Sequence, residues 1–311
     1  MTKKILLATE KAFAKPAVDG IEKVFADAKY ELVKLENYTD HADFVSAIQS
    51  ADGVIIRSDK ANSDVINAAN NLKIIVRAGA GFDNIDLEAA SLRGVCVMNT
   101  AMNTPGQNSN AVAELALGMM VYLARNAYNG KSGTELRGKK IGIHAYGNVG
   151  YYVAQIAKGF GMEVYAFDPF VPADKMAKDG VKKIEDAKDL YKTCEYISLH
   201  LPKTKETVNS INYDLLSLMP EGACLINTAR KEVVCEDSIL KLFAERKDFR
   251  FATDVEGDKT EDMKQFAPRY FATPKKMGAQ TEEANINAGL AAARQIVNFF
   301  EKGDITFKVN K

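Results

Sequence analysis

Lys140-Ile-Gly-Ile-His-Ala-Tyr-Gly-Asn-Val-Gly150 and Glu163-Val-Tyr-Ala-Phe-Asp168 are the stretches that decide the fold. Lys140 to His144 reads as a buried strand that runs directly into a glycine-containing turn. Tyr151 to Gly159 reads as a helix, and Glu163 to Phe167 as a second strand. A strand, tight turn, helix and strand in this order form the βαβ dinucleotide-binding layout. Gly147 lets the backbone approach a pyrophosphate, and Gly150 lets the helix pack closely on its strand. Tyr146, Asn148 and Val149 complete the loop, and the helix start offers free N–H groups to the phosphates. Asp168 lies eighteen residues beyond Gly150, at the end of the second strand. A carboxylate there accepts hydrogen bonds from ribose hydroxyls and repels a 2′-phosphate, which points to NAD and not NADP. The first glycine of the usual pattern is replaced by Ala145, so the reading rests on the placement between two strands more than on the glycines.

The same alternation extends in both directions. Lys4–Ala8, Tyr30–Leu35, Gly53–Arg57, Lys73–Arg77 and Val95–Met98 read as strands, with helices at Ala17–Ala26, Asp43–Gln49 and Ser63–Asn70 between them. A loop over Asn99–Asn110 then precedes a long apolar helix, Ala111–Arg125, capped by Asn108 or Ser109. Beyond the dinucleotide turn, strands are expected at Tyr196–Leu199, Ala223–Asn227, Phe249–Asp254 and Tyr270–Ala272, and a closing helix at Glu282–Lys302. Apolar runs alternating with helices predict an α/β protein with two doubly wound parallel sheets. A length of 311 residues with 47% hydrophobic side chains suits two domains.

Composition excludes several functions. Forty-one basic residues balance forty-one acidic ones, which argues against a nucleic acid or an anionic membrane as the main partner. The three histidines are His41, His144 and His200, so no HExxH helix and no late catalytic histidine exists, and no metal is expected. Cys96, Cys194, Cys224 and Cys235 form no CxxC pair and read as small core hydrophobes in a reducing compartment. No signal peptide or long apolar span is apparent, and a cytoplasmic location is expected.

Several segments together resemble the D-isomer-specific 2-hydroxyacid dehydrogenases, and within them the phosphoglycerate dehydrogenase branch. They are Val76-Arg-Ala-Gly-Ala-Gly-Phe-Asp-Asn-Ile-Asp86 with the preceding Ile56-Arg57-Ser58, Asn108 to Glu114, the Ala145–Gly150 loop and Leu199-His-Leu-Pro202 with Thr204, Glu206 and Thr207. Asn227-Thr-Ala-Arg230, Thr273-Pro274 and Gly278-Ala-Gln-Thr281 complete the set in the family's order. The resemblance implies a flavodoxin-like substrate-binding domain from residues 1–100 plus 283–311. A Rossmann NAD-binding domain, 101–282, would be inserted in it, with the cleft at the hinge. It also implies a homodimer through helix 111–125. The sequence ends at Lys311, short of the regulatory domain of longer relatives, so feedback control through such a domain is not expected.

The implied reaction is NAD-dependent oxidation of 3-phospho-D-glycerate to 3-phosphohydroxypyruvate, the first step of serine biosynthesis. Arg230 would hold the carboxylate and polarise the C2 oxygen, because its planar fork binds carboxylate in a bidentate way and stays charged. Here Lys231 follows it where the family has Gly. The family's acid/base is a His directly after Thr-Pro; here Lys275 and Lys276 follow, as in the subset of phosphoglycerate dehydrogenases with Lys in place of His. The role passes to Lys275, or to Lys276 if the one-residue length difference before Gly278 is placed otherwise. An ordinary lysine titrates near about 10.4, roughly four units above histidine, so a lysine base favours oxidation at alkaline pH. The family's orienting Glu would fall five residues beyond Asp254, where Lys259 stands; Glu256, Asp258 and Glu261 are near but off register.

Asp254 is a candidate for the nicotinamide carboxamide or for supporting the lysine. His200, Pro202, Thr207, Thr228 and Ala229 would line the cofactor. Arg57, Ser58 and Arg77 would take the phosphate, and Ala78, Gly79 and Ala80 would offer backbone N–H groups to the carboxylate. Two other readings remain: a dehydrogenase or reductase for another D-2-hydroxyacid of the glyoxylate or hydroxypyruvate type, and a non-catalytic NAD-sensing protein.

Overall fold

A computed structural model describes residues 2–79, 81–100 and 109–311. The chain folds into two compact units, one of Met1–Asn108 with Thr281–Lys311 and one of Ser109–Gln280. Ala80, Asn108 and the rest of 101–108 lie outside the described residues, so the backbone donor expected at Ala80 and the cap expected at Asn108 are not among the described features.

In the first unit, strands β1 (Lys4–Thr9), β2 (Glu31–Glu36), β3 (Gly53–Ile56), β4 (Ile74–Arg77) and β5 (Cys96–Asn99) are all parallel. Their order among the described residues, β2-β1-β3-β4-β5, is the flavodoxin-like one. The strands are short and apolar because both sheet faces are covered. On one face Leu6, Val54, Ile56, Ile75 and Val97 meet Phe44, Ile48 and Val65. On the other, Ile5, Leu7, Ile55, Ile74 and Val76 meet Ile21, Phe25, Ala292 and Ile296. Each fully buried Ile, Leu or Phe is worth about 1.5–3 kcal/mol. The closing helix Glu282–Lys302 thus returns to this unit, packed on helix Lys15–Asp27. Small residues permit the approach: a Cβ on Gly20 would lie 2.6 Å from Leu290 Cδ2. Thr281 caps the closing helix through Ala284 N–H at 3.1 Å, and Gly303 ends it at φ 65°.

The second unit holds β6 (Lys140–His144), β7 (Glu163–Phe167), β8 (Lys182–Lys183), β9 (Tyr196–Leu199), β10 (Cys224–Asn227), β11 (Arg250–Thr253) and β12 (Tyr270–Ala272). The parallel order β12-β11-β10-β9-β6-β7-β8 is the dinucleotide-binding order with one strand added, and it reverses between β9 and β6. Alternate residues of β10 divide between the two faces. Cys224 and Ile226 face Ala113, Met120 and Val153, while Leu225 faces Leu190, Ile239 and Phe243.

Two helix starts differ from the sequence reading. Ser109 is the first residue of helix Ser109–Ala124, so it is not a cap. Helix Asn148–Gly159 begins three residues before Tyr151, because Gly147 takes the extended N-cap conformation inside the loop.

The C-terminal segment closes the open edge of the first sheet. Lys308 bridges Met98 antiparallel, and Val309 N–H donates to Val97 O at 2.8 Å. Buried Asn310 accepts from Val97 N–H at 2.8 Å and donates to Val95 O at 2.9 Å. An Asn310→Ala variant leaves a buried donor and acceptor unpaired. It should lose about 2–4 kcal/mol of unfolding free energy in urea titration; a loss under about 0.5 kcal/mol would contradict the edge-closing role.

Candidate functional site

The turn after β6 is built as an anion cradle. Gly147 is the N-cap of helix Asn148–Gly159 and supplies no side-chain cap, so the first N–H groups of the helix have no partner within it. A Cβ on Gly147 would meet nothing within 4 Å, which leaves open space where a phosphate would approach. A Cβ on Gly150 would lie 2.7 Å from Ala145 O and 2.9 Å from Ile143 Cγ2. Gly150 is therefore required by close packing, while Gly147 is free to serve a ligand. Ala145 sits at φ 76°, in the left-handed region where the missing first glycine would be unstrained.

Asp168, at the end of β7, is buried, and each of its oxygens accepts one main-chain N–H: Tyr146 to Oδ2 and Phe170 to Oδ1, both at 2.8 Å. Each oxygen keeps acceptor capacity for a ribose hydroxyl. The fit to a dinucleotide is thus good: open glycine, uncapped helix start, and an oriented acid. Tyr146 is held within the loop. Its N–H is committed to Asp168 and its ring is buried, with the hydroxyl donating to Asp179 at 3.1 Å, so it braces the loop from within. The Thr207 hydroxyl also folds onto its own loop, donating to Pro202 O at 2.6 Å and accepting from Thr204 N–H at 2.7 Å. The Thr228 hydroxyl is buried with no hydrogen-bond partner among the described residues.

Three strand ends converge at the other half of this sheet. Asn227, ending β10, accepts Ala229 N–H at 3.0 Å and donates to Arg230 O at 2.9 Å, which shapes the turn that presents Arg230. Asp254, following β11, is buried and donates its N–H to Asn227 O at 2.8 Å. Its carboxylate accepts from Thr273 Oγ1 at 2.9 Å and from the N–H groups of Met277 and Gly278, each at 2.7 Å. Lys275 is exposed. Its neighbour Lys276 reaches Ala229 O at 3.3 Å, the same carbonyl that accepts Arg230 Nη1 at 3.1 Å. The off-register acids are engaged on the surface: Asp258 pairs with Lys231 at 2.6 Å, while Glu256 and Glu261 pair with Lys264. Lys259 pairs with Asp237.

In the first unit, Arg57 follows β3 and Arg77 ends the adjacent β4. Arg77 Nε donates to Arg57 O at 3.0 Å. The Arg57 guanidinium lies 4.9 Å from the Phe13 ring centroid and donates to Asn285 Oδ1 at 2.5 Å. Burial lowers its pKa from the ordinary arginine value. The buried Asp59 carboxylate shapes this edge by accepting Arg57 N–H at 2.9 Å and Glu10 N–H at 2.6 Å. Ser58 is exposed. The Ala78 N–H donates to Ile56 O at 2.8 Å and the Gly79 N–H to Arg77 O at 2.9 Å, which fixes the turn after β4. Asn84 and Asn285 were not singled out from sequence, because only the folded chain brings them to the arginines.

His144 ends β6, and His200 directly follows the adjacent strand β9. Burial pushes the pKa of His144 down to about 4 and that of His200 to about 3. His144 Nδ1 lies 3.1 Å from Tyr191 OH, and His200 Nε2 lies 3.0 Å from Ser198 Oγ. Both are neutral imidazoles satisfied inside the fold.

Comparison with known proteins agrees with this geometry. Residues 111–274 match the family described as D-isomer specific 2-hydroxyacid dehydrogenase, NAD binding domain. The chain is 35% identical over 270 residues to D-3-phosphoglycerate dehydrogenase of Methanocaldococcus jannaschii, covering 82% of this chain and 51% of that protein. It is 33% identical over 287 residues to hydroxypyruvate reductase of Thermotoga maritima, covering 86% of this chain and 91% of that protein. The chain spans about half the length of the curated phosphoglycerate dehydrogenases it matches. A crystal structure of NAD+-bound 3-phosphoglycerate dehydrogenase from Entamoeba histolytica superimposes with a TM-score of 0.91 at 44% identity, covering 100% of this chain and 99% of that one.

Two outcomes follow from the loop and the histidines. Gly150→Ala forces the helix start off its strand and should weaken NADH binding by about tenfold or more in a fluorescence titration, with an overpacking cost of about 1–3 kcal/mol. Unaltered affinity would contradict the packing argument. The folded state refuses protons that the unfolded chain takes up below its ordinary histidine pKa, so stability present above 6.5 is lost as pH falls toward 4. For His144 the loss between pH 7 and 5 is on the order of 2 kcal/mol. His144→Gln should flatten the pH dependence of urea unfolding by that amount; parallel curves would refute it.

Proposed function

Because the chain belongs to the D-isomer specific 2-hydroxyacid dehydrogenase family, we propose that it oxidises 3-phospho-D-glycerate to 3-phosphohydroxypyruvate with NAD, the first step of serine biosynthesis. The observation that carries this reading is the lysine beside the arginine: Lys276 Nζ and Arg230 Nη1 share the Ala229 carbonyl at the carboxyl end of the sheet that carries the dinucleotide turn. Carboxyl ends of parallel strands are where such sheets bind their ligands.

The loop at Gly147 and Asp168 would hold NAD, which would supply the hydride acceptor for oxidation at C2. The asparagine-braced Arg230 holds the substrate carboxylate and polarises the C2 oxygen as it becomes a carbonyl. The C2 hydroxyl proton passes to a lysine amine. Lys276 takes that role in this proposal in place of Lys275, because its ammonium makes the contact next to Arg230. Arg57 and Arg77, on adjacent strand ends, bind the phosphate. Asp168 binds the adenosine ribose, and the helix start at Asn148 takes the pyrophosphate. A homodimer through helix Ser109–Ala124 belongs to the same proposal, supported by the half-buried apolar residues Ala111, Val112, Leu115, Val121 and Tyr122 on it. A cytoplasmic location belongs to it too; no helix among the described residues is long and apolar enough to cross a membrane.

A second reading, an unphosphorylated 2-oxoacid reductase, is favoured by the Thermotoga relative matched over most of its own length. Loss of NADH absorbance with phosphohydroxypyruvate and with hydroxypyruvate separates the two. Faster turnover of phosphohydroxypyruvate supports the proposal; preference for hydroxypyruvate supports the second reading. No turnover with any 2-oxoacid leaves an NAD-sensing protein. Arg57→Ala should raise KM for the phosphorylated substrate about tenfold or more and leave that for hydroxypyruvate nearly unchanged; equal effects refute the phosphate role. Lys276→Ala should lower the oxidation rate by about 100-fold or more, and Lys275→Ala much less. In the unmodified protein that rate should keep rising toward alkaline pH, because a lysine must lose its proton to act as base. A plateau near neutrality would contradict a lysine of ordinary pKa as the base.

A further inference from the structure

Arg57 is the first residue beyond β3, and uncharged groups hold its side chain. Nη1 donates to Lys11 O at 3.3 Å and to Ala12 O at 3.4 Å, and Nη2 donates to Asn285 Oδ1 at 2.5 Å. The Phe13 ring lies against the guanidinium, its centroid 4.9 Å away. None of these partners carries a charge, so the cation is fixed without being neutralised. The nearby Asp59 carboxylate is engaged elsewhere: it accepts the N–H groups of Glu10 and Arg57 and the Tyr38 hydroxyl. Those bonds tie the loop that carries Lys11, Ala12 and Phe13 to the end of β3. Nε and one Nη2 hydrogen of Arg57 keep no acceptor among the described residues. A pair of donors is what an anionic oxygen group takes in a bidentate contact.

Asn285 supplies the side-chain acceptor in this set. It lies in the first turn of the closing helix, where its Nδ2 donates to Thr281 O at 2.8 Å. Thr281 is the cap of that helix, so the anchor is itself held. The anchor also settles which way the amide points. Turned over, Oδ1 would face the Thr281 carbonyl and the NH2 group would face the guanidinium, and both contacts would become repulsive. A neutral acceptor thus stands at a fixed place beside the cation. An aspartate there would accept the same bond but would pair with Arg57 and oppose an incoming anion. We infer that Asn285 is a positioning residue that sets substrate specificity: its carboxamide fixes the Arg57 guanidinium and leaves that charge to a phosphorylated substrate. The inference rests on the reading of Arg57 as a phosphate-binding group given above.

Initial rates of the full chain with NADH and either phosphohydroxypyruvate or hydroxypyruvate test this, read as the ratio of the two kcat/KM values. Asn285→Ala should lower that ratio about tenfold, chiefly through KM for phosphohydroxypyruvate. Asn285→Asp is isosteric and keeps the acceptor, but adds a charge that pairs with Arg57. It should lower the ratio about 100-fold or more near about pH 8. Asn285→Gln, a neutral amide one methylene longer, should keep the ratio within about threefold. In the Arg57→Ala background, Asn285→Ala should change the ratio by less than about threefold, because the guanidinium it acts through is gone. If Asn285→Ala does not fold, the isosteric Asn285→Asp carries the test. Equal losses with both substrates, or a ratio in Asn285→Asp no lower than in Asn285→Ala, would overturn the inference. An unchanged ratio in both variants beside a lowered ratio in Arg57→Ala overturns it alone. An Arg57→Ala protein at the original ratio removes the phosphate reading and this inference with it.

Discussion

Burial of both faces of each parallel sheet is the constraint on which the rest depends. Strands such as Ile5-Leu-Leu, Val54-Ile-Ile and Leu225-Ile spend every side chain on packing. No polar group with a task can sit within them without a desolvation cost of roughly 2 kcal/mol or more. Chemistry is therefore confined to the strand ends, and in parallel sheets those ends lie side by side. Arg57 and Arg77 on one sheet, and Asp168, Arg230 and Asp254 on the other, all stand at or just beyond such ends.

Crowding several loops at one edge raises a second problem, since their backbones lose ladder partners. The molecule answers it repeatedly with short acceptors at strand ends. Asp59 takes the N–H groups of Glu10 and Arg57, Asp168 those of Tyr146 and Phe170, and Asp254 those of Met277 and Gly278. Asn227 does the same for Ala229. A buried carboxylate that accepts several N–H bonds is well compensated without a cation. Its charge stays available in part for a ligand, which is why the same residue can brace a loop and bind a ribose at Asp168.

The absence of a late histidine acquires its meaning only in this setting. A histidine base needs a partner that fixes its tautomer; a lysine needs only a position and a way to lose its proton. The acids near the expected partner position are engaged with Lys231 and Lys264 on the surface, and the loop is held through its backbone instead. The two histidines that do stand at strand ends, His144 and His200, are neutral and satisfied within the fold.

The sequence by itself determined the α/β class, most strand and helix positions and the dinucleotide turn. Strands Lys140–His144, Glu163–Phe167, Tyr196–Leu199 and Tyr270–Ala272 and helix Glu282–Lys302 occur at the bounds read from it. These follow from local pattern: apolar runs must be buried, and glycines mark where backbone comes close. Tertiary structure decided which donors are already spent and which side chains meet. No local pattern could show that the Ala78, Gly79 and Tyr146 N–H groups are occupied. Nor could it show that Lys276 lies on Ala229 O, or that Asp254 closes on a loop some twenty residues away. Hydrogen-bond partners across strand ends depend on how the sheet aligns its edges, and that alignment is a property of the packed whole.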